Sequence, residues 1–214
     1  MRRQQSGFTL VEIAIVLVII GLLLGGILKG QELINSAKVK NLANDFRVIP
    51  TYIYAYQDKF KALPGDDANV AAHITGATAA AAAGIGNGVV NGNWNSTTNT
   101  DESFLFWQHV RLANLAAGPT DVADTTYVPR NAVGGILGIS SGTTAQMQIS
   151  GMTGTYQVCS AGILGKFAKQ LDIQMDDGHT DTGSMRVVAD GAALGSPAIA
   201  APDDATNYTV CTTF

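Results

Sequence analysis

From Ile13 to Leu28 the chain carries sixteen consecutive residues without a polar or charged side chain, and with Phe8 to Glu12 the segment reaches the length of a helix that spans a bilayer. Only a lipid or protein environment tolerates such a run, so it limits every fold the chain can adopt. Arg2 and Arg3 precede it, which keeps that end on the cytoplasmic side. A secretory signal has a shorter apolar core followed by a small-residue cleavage site; here the processing-like stretch "QQSGF" lies ahead of the apolar run. One carboxylate, Glu12, interrupts the segment near its start, where an ionised group is costly and marks a function.

Beyond Lys29 the apolar residues become one-sided. Val39, Leu42, Phe46, Ile49, Ile53 and Tyr56 recur at spacings of three and four, a stripe continued by Phe60 and Leu63, with polar residues on the other side. One long helix is expected from about Phe8 to about Lys61. Pro50 falls within it, and since the stripe keeps phase across the proline a bend is expected rather than a stop. The stripe also fits a coiled-coil seam, but strand-like segments follow and need a cover, so a sheet of the same chain is the expected partner.

"LPGDD", Leu63 to Asp67, ends the helix with turn chemistry, and Asn69 to Thr100 is too rich in Ala, Gly and Asn for regular structure and reads as a long loop. A second helix is expected in "DESFLFWQHVRLANLAAG", capped by Thr100 or Asp101, apolar on one face and stopped at Gly118. Short strands are expected at "AVGGILGIS", "AQMQISG", "TYQVCSA", "SMRVVAD" and "YTVCTTF", with a short helix at "ILGKFAKQLD". The fold class is α+β: a long N-terminal helix, membrane-spanning in its first half, packed on a C-terminal antiparallel sheet.

The junction "GFTLVEIAIVLVIIG" resembles the class III leader junction of type IV pilins and of the pseudopilins of type II secretion: Gly7, Phe8, then an apolar stretch with Glu12 at the fifth position. The resemblance implies cleavage between Gly7 and Phe8 by a prepilin peptidase in the inner membrane, and methylation of the new Phe8 amine. It implies that Glu12 then offsets a positive N-terminus, its own or a neighbour's, as helices pack into a filament; paired charges in low dielectric recover much of what each loses by desolvation. An assembly platform and an ATPase are the further partners implied, with passage from the inner membrane to a surface pilus or a periplasmic pseudopilus. The organisation expected on this basis is a leader over 1–7, a membrane or filament-core helix over 8–30, its amphipathic continuation over 31–62, a connecting region over 63–130, and a sheet with a C-terminal disulfide region over 131–214. The absence of proline before Pro50 departs from many type IVa major pilins.

Two cysteines, Cys159 and Cys211, in a chain with an export signal favour one disulfide, with two buried thiols as the alternative. The formal charge is −4 and no Lys/Arg cluster follows Arg3, so no nucleic-acid partner is expected. His73, His109 and His179 have no neighbours at zinc-ligand spacing and read as surface or loop histidines; "GILGK" and "GIGNG" lack the remainder of a phosphate-binding or dinucleotide pattern. No catalytic group is expected, and no enzyme. Asp176, Asp177 and Asp181, set among Gly178 and Gly183, read as an Asp/Gly turn that caps strands. The other reading of the same three carboxylates is a calcium site, the one cofactor the chain suggests.

Overall fold

The computed structural model describes residues 9–81, 84–143 and 145–214. Gly7 and Phe8, the expected processing positions, lie outside the described residues. Helix α1 runs from Leu10 to Phe60 and passes Pro50 without interruption. By its contacts the chain divides after Lys38 into two units, and α1 contributes to both.

In the first unit the apolar part of α1 buries nothing. Its most hydropathic window has a mean hydropathy of 2.8 and none of it is covered by the rest of the protein.

In the second unit the stripe on α1 is the helical half of the core. Val39, Leu42, Phe46, Ile49 and Ile53 share one buried cluster with Ile139, Val158, Val187 and Val210 of the sheet. Burying such side chains stabilises by about 1.5–3 kcal/mol each, which outweighs the weak helix propensity of the β-branched ones. The helix ends where Lys61 takes a left-handed conformation, φ 55°.

Four strands, β1 (Leu137–Ser141), β2 (Tyr156–Leu164), β3 (Met185–Ala189) and β4 (Asn207–Thr213), form an antiparallel sheet in the order β1-β2-β4-β3. This is a pilin-like α+β fold. Alternation puts Val158, Val187 and Val210 on the helix side, and Cys159, Val188 and Cys211 on the other. There a second buried cluster of Trp94, Met147, Ile149 and Met152 covers them. With both faces covered, polar strand residues such as Ser140, Gln157, Ser160 and Thr209 are buried along with the apolar ones, unlike the one-sided pattern of an antiparallel sheet that faces water.

Three expectations need correction. "AQMQISG" is not a strand: its one ladder contact is an isolated bridge from Ile149 to Ser196. Its backbone is held by side chains instead, the Gln148 amide donating to Gln157 Oε1 (2.9 Å) and Gln157 Nε2 to the Gln146 carbonyl. Helix α3 covers only Glu102–Leu112; Asn114, at φ 61°, turns the chain before Gly118, and every residue from Glu102 to Arg111 is buried. The Asp101 carboxylate that could have capped it takes the Ser96 hydroxyl at 2.6 Å instead. Within the expected 69–100 loop, Val70–His73 forms one short helix, α2.

Gly65 shows why the "LPGDD" turn can lie against α3. Its φ is +90°, and a Cβ there would run into the Glu102 carbonyl.

Candidate functional site

The apolar segment is built from its first turn. Thr9 and Glu12 form a capping box: the Thr9 amide and hydroxyl donate to Glu12 Oε2 at 2.8 and 2.7 Å, and the Glu12 amide donates to Thr9 Oγ1 at 3.3 Å. Glu12 thus has a partner within its own helix, a role the sequence signature Thr-x-x-Glu could have revealed. Both of the carboxylate's bonds described here go to Oε2.

Fourteen Val, Ile and Leu side chains lie between Leu10 and Leu28, and all are exposed. On an insertion scale they favour the bilayer by about 4–8 kcal/mol, more than the roughly 2.5–3.5 kcal/mol cost of one central acidic group. At the far end Lys29 pairs with Glu32 at 2.6 Å on an exposed surface, marking the return to a polar environment. Gly21, Gly25, Gly26 and Gly30 have space around them: a Cβ at any of the four would meet nothing within 4 Å. Glycine inside a helix costs about 1 kcal/mol relative to alanine, and no contact among the described residues requires it.

The second unit holds two polar constellations. Around "LPGDD", Asp66 accepts the backbone amides of Gly86, Asn87 and Gly88, and Asp67 accepts Tyr56 Oη (2.9 Å), the Asn69 amide (2.9 Å) and His73 Nδ1 (2.7 Å). These carboxylates border a cleft of about 690 Å³ that His73 and Tyr156 also line. Each accepts three donors, and together they brace the 84–88 segment and the start of α2. His109 is buried, not a surface or loop residue. The Gly65 amide donates to its Nδ1 at 2.9 Å and its Nε2 donates to the Thr78 carbonyl at 2.8 Å. Burial pushes its pKa down, so the neutral imidazole acts as a bridge between two loops.

Cys159 and Cys211 are joined in a disulfide between directly opposed positions of β2 and β4.

The acidic turn joins helix α4 (Gly165–Met175) to β3. Asp176 accepts the Met185 amide at 2.7 Å and the Ser184 hydroxyl at 3.2 Å; Asp177 accepts the His179 amide at 2.9 Å and the Thr182 hydroxyl at 2.6 Å. Gly183, at φ +67°, leaves no room for a Cβ beside the Asp176 carboxylate. The carboxylate that converges with these two is Asp172, in the last turn of α4, and not Asp181. One oxygen from each of Asp172, Asp176 and Asp177 lies within 4.8 Å of the others. The sequence pointed to the exposed end of this cluster and missed its buried member, since nothing at Asp172 distinguishes it from a polar residue on the outside of α4.

Against known proteins, residues 2–28 match the family model described as the prokaryotic N-terminal methylation motif. No curated protein and no solved structure matches the chain. The matched segment begins ahead of the Thr9–Glu12 box and ends at Leu28, just before the Lys29–Glu32 pair. Over residues 2–28, therefore, this chain carries the class III prepilin-type signal of type IV pilins and pseudopilins.

Proposed function

We propose that the protein is a structural subunit of a type IV pilus or pilus-like filament, cut between Gly7 and Phe8 by a prepilin peptidase and assembled through the apolar part of α1. The observation that carries this reading is the coincidence of the methylation motif with a helix whose side chains are exposed on every side. A bilayer covers such a helix before assembly, and neighbouring copies cover it afterwards. The four glycines with open space around them support close approach of another helix. The carboxylates at the polar cleft, each engaged by three donors of the chain itself, support a structural rather than a chemical role for the second unit.

Mechanism here means assembly. The protein enters the inner membrane with Arg2 and Arg3 on the cytoplasmic side, and an assembly platform and ATPase move it into the filament. Glu12 offsets the positive charge of an incoming Phe8 amine and so fixes register. A surface pilus and a periplasmic pseudopilus both use this scheme.

The test is mass spectrometry of the N-terminal peptide from sheared surface filaments and, separately, from membranes. A methylated Phe8 start in the sheared fraction supports a surface pilin, and the same start in membranes alone supports a pseudopilus or minor subunit. Intact Met1 in both fractions refutes the proposal and favours a single-span anchor carrying a binding domain or enzyme.

A further inference from the structure

We propose that Asn87 is a site of self-modification: its side-chain amide is converted to a carboxyl by attack of the Gly88 backbone nitrogen, with Asp66 as the base. Asn87 is exposed, and Gly88, at φ +83°, has no Cβ to hinder that nitrogen. The nitrogen belongs to the next residue, so a five-membered ring closes without any diffusional encounter. The sequence offers two such pairs, Asn87-Gly88 and Asn91-Gly92, and the structure separates them. At the first, the Gly88 amide donates to Asp66 Oδ2 at 2.7 Å and the Val89 amide donates to Asn87 Oδ1 at 2.8 Å. A carboxylate on the nucleophile's proton and a donor on the oxygen that gains charge are the two aids this reaction needs. At the second, the side-chain nitrogen that has to leave is tied to Glu102 Oε2 at 2.9 Å and to the Val89 carbonyl at 3.4 Å.

As the bond from Gly88 N to Asn87 Cγ forms, the amide proton passes to Asp66 Oδ2, and Asn87 Oδ1 gains a negative charge that the Val89 amide holds. Collapse of that intermediate breaks the Cγ–Nδ2 bond, and the departing nitrogen takes the proton from Asp66 and leaves as ammonia. Water then opens the cyclic imide at either carbonyl, giving aspartate or the isomer whose main chain runs through the side-chain carbon. The net change consumes one water and releases one ammonia, with no oxidant or reductant. Asp66 is held in place for this because Gly86 and Asn87 also donate their amides to its Oδ1. The isomer adds a carbon to the main chain between amides that share this carboxylate, and either product sets a second carboxylate beside it. Gly86 and Gly88 line the polar cleft, so conversion loosens one of its walls.

The experiment keeps the full chain in detergent for several days in water enriched in heavy oxygen, with tandem mass spectrometry reading label uptake at each Asn-Gly pair. Asn87 should convert at least about tenfold faster than Asn91. Asp66 takes the place of hydroxide as the base, so the Asn87 rate should stay within about twofold between about pH 6.5 and 8.5; in the urea-unfolded chain it should rise by at least about tenfold over that range. Asp66→Asn keeps an acceptor for the three amides but no base, and should slow Asn87 by at least about tenfold while leaving Asn91 unchanged. A merely bracing Asp66 predicts the opposite sign, since a loosened segment reacts faster. The inference is overturned if Asn87 takes up no label, or if both sites convert at one rate. It is equally overturned if the folded chain follows hydroxide as steeply as the unfolded one, or if Asp66→Asn converts Asn87 as fast as wild type. None of these outcomes depends on whether the chain forms filaments.

Discussion

Replacing Cys159 and Cys211 together with alanine removes the bridge between β2 and β4 without introducing a new polar group. The cysteines are 52 residues apart, and releasing a loop of that length returns about 4 kcal/mol of conformational freedom to the unfolded chain. Both sulfurs also sit in the buried cluster of Trp94, Met147, Ile149 and Met152, so their loss leaves space that adds about 1 kcal/mol in the same direction. The expected destabilisation is about 5 kcal/mol, a large share of the roughly 5–15 kcal/mol that holds a typical domain. Converted at about 2–4 °C per kcal/mol, the melting temperature should fall by roughly 10–20 °C. Urea unfolding of the mature chain in detergent, followed by tryptophan emission, measures this directly, because Trp94 lies in the same cluster as the bridge. A loss smaller than about 1 kcal/mol would refute the reasoning. It would mean that the unfolded chain already keeps β2 and β4 close, so that the bridge removes little freedom.

Three further substitutions test the charged groups of α1 and the Thr9 cap that precedes it. Burial alone raises the Asp45 carboxyl from 3.8 to about 6, so its contribution to stability is fully present below about pH 4 and is lost as pH rises through 6. Allowing for its partial exposure, Asp45→Asn should gain about 1–2 kcal/mol over wild type at about pH 7.5 and only about a third of that at about pH 4.5, read from urea midpoints with a chelator present; an equal effect at both would refute the assignment. Glu12→Gln keeps an acceptor for Thr9 but no charge, whereas Thr9→Val keeps the charge and loses about 1 kcal/mol of capping. Glu12→Gln should abolish filaments in the sheared fraction while leaving membrane insertion intact, and Thr9→Val should only reduce them; equal losses would make Glu12 a cap and nothing more.

Much of α1 was legible because two signals of different kinds meet in it. A uniformly apolar run specifies a helix wherever its backbone must satisfy itself, and a 3.6-residue stripe specifies one that lies on a core. The strands carrying Val158, Val187 and Val210 were legible for the related reason that β-branched residues fit a pleated surface. "AQMQISG" imitated a strand because Met147 and Ile149 alternate into the second buried cluster, while glutamine side chains take the place of a neighbouring strand. The end of α3 was misplaced because Asn114 adopts a left-handed conformation, and glycine is not the only residue that can. His109 and Asp172 were invisible for a common reason: each matters through what surrounds it in space, 44 residues away at Gly65 in one case and across a turn in the other.

The strand order also has a consequence for biogenesis. β4 lies between β2 and β3, so the sheet has no centre until residues 207–213 have been made. A product cut short before Asn207 would present two unpaired strand edges and one unmatched cysteine, a form suited to recognition by proteases. Closure of the sheet is thereby tied to translation of the β4 segment.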